Sequence, residues 1–174
     1  MIRSWMGKTP QIHPDAFVSE FAYVVGDVEI GAGSSIWPGS VVRGDSAKIT
    51  IGRNTCIQDG SVVHCDGGGA VIGDNVVIGH QVMCHAERVG DGAVLGNGCT
   101  VNGGESWIGA HSIVASGAVV LDNGKVPDRT FVVGVPGVAK GAVSDAQIER
   151  FQRTADHYSE LARKYKAEGL EDNA

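Results

Sequence analysis

Three of the chain's six histidines, His64, His80 and His85, fall within "HCDGGGAVIGDNVVIGHQVMCH", the densest set of nitrogen donors in the sequence. Neutral imidazoles are ligands for zinc, cobalt or iron, and three of them leave a tetrahedral ion one open position for water or substrate. Other polar residues lie close by: Arg43 and Asp45 in "VVRGD", and Gln58 and Asp59 in "IQDG". A lone histidine is most often a solvated polar residue, and a corner arginine or aspartate is most often a solvated charge. The case for chemistry therefore depends on what brings these side chains to one place.

The positioning element is a repeat. An aliphatic residue returns every sixth position at Ile12, Val18, Val24, Ile30, Ile36 and Val42. After three inserted residues the series resumes at Ile51, Ile57 and Val63, and after three more at Ile72, Ile78 and Cys84. Val89, Leu95 and Val101 begin one residue early, and Ile108, Val114 and Val120 one residue late. A period of six fits neither an amphipathic helix nor an alternating strand. It fits a parallel β-helix with three flat faces, in which each lead residue points inward and small or β-branched residues sit near the corners. Eighteen leads predict an all-β solenoid of about six three-sided coils.

After Val120 the period is expected to stop, with "VPDRTFVVGVPGVAKG" forming a turn and a short crossing strand. Ser144 and Gln147 then make a capping box. Ile148, Phe151, Ala155, Tyr158, Ala162 and Tyr165 give one apolar helix face, to be laid on the prism or on a neighbouring subunit. The expected organisation is an N-terminal segment (1–11), the β-helix (12–143), a C-terminal α-helix (144–168) and a tail (169–174).

The repeat assigns heights and faces to the polar residues. His64 follows Val63 and His85 follows Cys84, so both occupy one outward column on adjacent coils, roughly 4.8 Å apart. They can converge on one ion. His80 comes two residues after Ile78 and belongs to another face, so it is poorly placed to join them within one chain. A threefold homotrimer would bring it from a second copy. Arg43 lies one coil below His64 in the same column, and Asp59 one coil below His80. The same packing would therefore set Arg43 against Asp59 as an interface salt bridge. Cys65, beside His64, is a weaker ligand candidate, and Cys84 is a core residue. His13, His111 and His157 lie outside the cluster.

Composition narrows the partners. A net charge of -6 argues against nucleic acid or anionic lipid as the main ligand. The start of the chain has no apolar signal core, and no apolar run approaches a membrane span. The four cysteines show no C-x-x-C spacing, so reduced thiols in a cytoplasmic protein are expected.

On "VVRGD" (41–45), "TCIQDGSVVH" (55–64), "IGHQVMCH" (78–85) and "TADHYSELARKY" (154–165), residues 12 to about 167 resemble the γ-class carbonic anhydrase-like proteins. The sixteen- and five-residue intervals between the histidines match the family's short-loop branch. The resemblance implies a left-handed helix and a homotrimer with zinc at each interface, cobalt or iron being alternatives. His64 and His85 of one chain and His80 of the next would be the ligands. It also implies that Arg43 pairs with Asp59 between subunits and that Asp45 supports the site. Gln58 would hydrogen-bond the reacting oxygen or bicarbonate, and Tyr158 would face the pocket from the helix. The implied reaction is reversible hydration of carbon dioxide to bicarbonate.

Several features depart from the family pattern. Cys56 replaces the usual asparagine, and "GNGCTV" stands where many relatives have "GMGA". The acidic loop is missing and Ser46 stands in place of a glutamate, leaving Asp66 or a water chain to export protons. Two other functions fit a hexad solenoid. An acyltransferase or thioesterase acting on coenzyme A esters would use one histidine as base and a basic cleft for the phosphates. A catalytically silent scaffold would need neither. The absence of a Lys/Arg cluster beside the histidines disfavours the first, and the intact histidine triad disfavours the second.

Overall fold

A computed structural model describes residues 1–172; the last two residues of the expected tail lie outside the described residues. The chain winds as a parallel β-solenoid of short strands, most of only two or three residues. The lead residues stack in three columns. One face carries Ile12, Ile30, Ile51, Ile72, Val89 and Ile108, the second Val18, Ile36, Ile57, Ile78, Leu95 and Val114. The third carries Val24, Val42, Val63, Cys84, Val101 and Val120, and all of these leads except half-buried Ile12 are buried. Successive coils pair in register, Val42 with Val63, Val63 with Cys84, Cys84 with Val101 and Val101 with Val120. The sixfold spacing thus exists because one residue per face must fill a narrow axial core.

The small residues four places after a lead have a second physical role. Ser34, Ser40, Thr55, Ser61 and Ser112 are fully buried, and each hydroxyl donates to a carbonyl of the next coil at 2.6–2.8 Å. Several also accept a backbone N–H from that coil, as Ser61 does from Val82 at 3.0 Å. Buried hydroxyls without such partners would destabilise the core, so these corners need Ser or Thr as well as small size.

The expected stop after Val120 is corrected by a further, partial coil. Lys125–Val126 pairs with Trp107–Ile108, and Thr130–Val133 with Ile113–Val114. Val126 and Val132 keep the spacing of six and are buried. The Gly, Asp and Pro residues between them form corners rather than an ending. The crossing strand follows one step later: Val138–Ala142 runs antiparallel on Thr130–Val133 and covers the upper sheet edge. At the other end, residues 1–11 are more structured than their sequence suggested. Ile2–Arg3 pairs with Val24–Val25, and Ile2 packs against the base of the core.

The helix α1, Asp145–Ala167, begins at the expected capping box of Ser144 and Gln147. It lies along the second face of its own chain. The residues just before the leads on that face point outward and build an apolar ladder of Phe17, Cys56, Val77, Val94 and Ile113, all buried. Ala155 and Ala162 let the helix approach it closely. Phe17, Trp37, Tyr158 and Tyr165 interlock at the lower end, with ring centroids 5.0–5.8 Å apart. Among the described residues, no helix is long and apolar enough to cross a membrane.

All four cysteines are buried free thiols. Burial pushes Cys56 and Cys99 up to about 12 and Cys84 up to about 11. Iodoacetamide at pH 8 should therefore leave these three unlabelled in the native protein and label them after unfolding, as read by intact mass. The unfolded thiols ionise first, near 9. The stability that neutral thiols contribute is complete below pH 9 and is lost as the pH rises through 11 to 12.

Candidate metal centre

Pairing of Val63 with Cys84 fixes the relative height of the residues that follow them. His64 and His85 consequently stack, with ring centroids 4.8 Å apart and His64 Nδ1 only 2.6 Å from His85 Nε2. Two imidazole nitrogens this close need a proton or a cation between them. A tetrahedral ion with Zn–N bonds of about 2.0–2.1 Å would hold such nitrogens ~3.3 Å apart, so a small ring movement would admit it.

The outer nitrogens of both rings face carboxylates. His64 Nε2 is 3.2 Å from Asp45 Oδ1, and His85 Nδ1 is 3.9 Å from Asp66 Oδ2. Carboxylates in these positions orient metal-binding imidazoles and raise their basicity. Arg43 donates to Asp45 at 2.7 Å. The Arg43 hydrogen bond, against partial desolvation and with help from His64, holds the Asp45 carboxyl below its ordinary range. Asp45 thus stays ionised where it can accept from His64, which is 7% exposed. The ligand atoms of His64, Asp66 and His85 all lie within 4.8 Å of one another, so this group could hold a metal ion.

His80 is placed apart from this pair. It sits at the corner after the second face, with Nδ1 3.0 Å from Asp59 Oδ2 and its backbone N–H donating to Asn97. Both His80 and Asp59 remain about half exposed. Within one chain Arg43 therefore binds Asp45, and Asp59 faces His80. Each of the three histidines has a carboxylate beside one nitrogen.

Gln58 and Tyr158 belong to the His80 side. Gln58 is buried and its amide makes a weak 3.7 Å bond to Cys56 Sγ. Half-buried Tyr158 stands edge-on to Trp37, and its pKa is raised, chiefly by burial, which keeps the phenol protonated. These two residues and His80 line the lower end of a cleft of ≈ 530 Å³ beneath α1.

The structure divides the sequence-derived residues into two groups, Arg43, Asp45, His64 and His85 on one side and Gln58, Asp59, His80 and Tyr158 on the other. Sequence reasoning missed Gly103, where a Cβ would lie 2.7 Å from His85 Nδ1, so the imidazole rests against bare backbone. It also missed Glu87 and Glu105. With Asp66 they line a second cavity, of ≈ 260 Å³, against His85. Both glutamates were visible in the sequence, but they stand after a shortened loop and one coil higher, where spacing alone gave no signal.

The outer surface around the His64/His85 column is also distinctive. Tyr23, Val41, Val62, Met83, Thr100 and Val119 form an outward ladder on the third face, partly exposed along its length. The second face is covered by α1, and the corresponding ladder of the first face is mainly polar, with Gln11, Glu29, Thr50, Arg88 and Lys125. The third face thus keeps a partly exposed, largely apolar ladder beside the His64/His85 column.

Comparison with known proteins gives carbonic anhydrases among the sequence relatives and hexapeptide transferases among the solved structures. Residues 9–44 match the bacterial transferase hexapeptide (six repeats) family. Carbonic anhydrase of Geobacillus kaustophilus is 34% identical over 168 residues, covering 96% of this chain and 92% of that protein. Gamma carbonic anhydrase 1, mitochondrial, of Arabidopsis thaliana is 38% identical over 92% of this chain; the matched region spans 61% of that longer protein. A crystal structure of a hexapeptide transferase family protein from Anaplasma phagocytophilum superposes with a TM-score of 0.90 at 33% identity, covering 95% and 98% of the two chains. A crystal structure of a putative acetyltransferase from Bacillus cereus superposes with a TM-score of 0.92 at 29% identity, covering 96% and 97% of the two chains.

Proposed function

The chain belongs to the γ-class carbonic anhydrase-like family of hexapeptide-repeat proteins, and from that premise we propose that it reversibly hydrates carbon dioxide at zinc sites between the subunits of a homotrimer. The observation that carries this reading is the convergence of His64 Nδ1 and His85 Nε2 at 2.6 Å, with His80 held on a different face. His64 and His85 of one copy and His80 of the next would hold the ion. The uncovered apolar ladder beside the His64/His85 column supports the assembly. When bound, zinc supplies the Lewis acidity that brings the pKa of a water from 15.7 to about 7.

The chain's own residues do the rest. Asp45 and Asp66 orient the two stacked imidazoles through their outer nitrogens, and Arg43 keeps Asp45 ionised. Buried Gln58 presents an amide, held only weakly by Cys56, to orient the substrate oxygen. Tyr158, kept neutral by burial, offers an O–H from the helix. Net hydration releases a proton, and Asp66, Glu87 and Glu105 line a path away from His85 through their cavity.

The competing acyl-transfer reading is less well supported. Coenzyme A phosphates need a basic cleft, whereas Asp45, Asp59 and Asp66 surround the histidines.

Metal analysis together with stopped-flow carbon dioxide hydration tests the proposal. The expected result is one zinc per chain, three per trimer, and hydration that disappears on chelation. Turnover should rise steeply with buffer concentration, because the family's acidic loop is absent and the remaining carboxylates sit in an open cavity. A metal-free trimer, or a zinc-loaded trimer without hydration, would overturn the function. A rate indifferent to buffer would remove the argument about proton export.

A further inference from the structure

We propose that the cleft between α1 and the upper coils of the second face binds an organic carboxylate with an unbranched apolar body, its charge on Arg150 and its tail directed toward Gln58. The open cleft offers ≈ 530 Å³, within the range of about 300–1,000 Å³ typical of small-molecule sites. A water takes up about 30 Å³, so carbon dioxide or bicarbonate would fill only a small part of it. Something larger fits this space.

Its lining specifies the chemistry. Val94, Ile113 and Phe131 from successive coils form an apolar floor, and Phe151 of α1 forms the facing wall. Polar groups stand at both ends, and Asn97, Ser116 and Thr154 line the cleft as well. Gln58, His80 and Tyr158 occupy the lower end, and Arg150 stands on the helical lip above. The Arg150 guanidinium lies over the Phe151 ring, 5.6 Å from its centroid. Arg150, like Arg88, Arg153 and Arg163, forms no ion pair among the described residues, but of these four it alone lines the cleft. A guanidinium over an aromatic wall, at the mouth of a cleft with an apolar floor, suits a carboxylate carrying a hydrocarbon tail. Eight residues of helix separate Arg150 from Tyr158, roughly 12 Å at 1.5 Å per residue. That length matches a medium-chain acid.

The ligand's far end would lie beside Gln58 and His80, so its relation to catalysis rests on the proposed hydration site; the binding itself does not. Calorimetric titration of the assembled protein, metal-loaded and metal-stripped, with butanoate, hexanoate, octanoate and their primary amides tests the idea. Carboxylate affinity should rise about fourfold per added methylene, and each amide should bind about tenfold more weakly than its acid. Arg150→Gln, a substitution at an exposed position, should bring the acid down to the affinity of its amide. Ala115→Phe, which fills the cleft, should abolish binding of both. Metal removal should leave the octanoate affinity unchanged.

Affinity independent of chain length, or unaltered in Arg150→Gln, would overturn the proposal. So would octanoate binding that vanishes with the metal, because the carboxylate would then sit on the ion. Failure of hydration in the zinc-loaded protein would overturn the proposed function while leaving this binding site standing.

Discussion

Co-assembly of a His80→Ala chain with a His85→Ala chain should restore metal binding and carbon dioxide hydration that neither homotrimer possesses. His64 and His85 sit on one face of the solenoid and His80 on another. In the proposed trimer each complete site takes its donors from two chains. In a mixed trimer, the His80→Ala chain supplies an intact His64/His85 pair and the His85→Ala chain an intact His80. One interface in each mixed trimer is whole. After random assembly from equal amounts, roughly one site in four should be complete, with zinc content and activity recovering together. The separate homotrimers should show at least a thousandfold loss, on the order of removing a catalytic metal. Recovery of neither property on mixing would show that His80 does not complete the site of a second copy. Full zinc occupancy in the His80→Ala homotrimer would assign the ion instead to His64, His85 and Asp66 of one chain.

The second large effect lies in the scaffold. Gly26 has φ +86°, and a Cβ there would meet the Gly44 carbonyl oxygen at 2.3 Å and the Asp45 nitrogen at 3.2 Å. Both neighbours are backbone of the adjacent coil and cannot rotate away. Gly26→Ala should cost ~1–2 kcal/mol for the left-handed conformation and a further ~1–3 kcal/mol for overpacking. At about 2–4 °C per kcal/mol for a chain of this size, melting should fall by roughly 4–20 °C at equal protein concentration. Because the displaced strand carries Arg43 and Asp45, zinc affinity should fall as well. Gly67 provides the control: it has no positive φ, and an added Cβ would meet nothing within 4 Å, so Gly67→Ala should melt within about 2 °C of the parent. Equal melting of the two variants would refute the close-approach argument.

One unread feature of the sequence has a definite cause. Val126 and Val132 keep the period, yet their coil is crowded with Gly, Pro and Asp, so composition resembled a termination while spacing continued the solenoid. Within one chain Arg43 meets Asp45, two residues along the same strand, at 2.7 Å; its pairing with Asp59 of a second copy belongs to the proposed assembly.

Residue number alone determined each donor's face and coil, because a solenoid with a fixed step converts sequence separation directly into rotation and rise. That was enough to stack His64 on His85 and to set His80 apart. Only the folded chain decided that α1 covers the second face, that the third face keeps an uncovered apolar ladder, and that Gly103, Glu87 and Glu105 gather around His85. Those outcomes come from contacts between segments distant in sequence and from side-chain rotation, neither of which a period of six encodes.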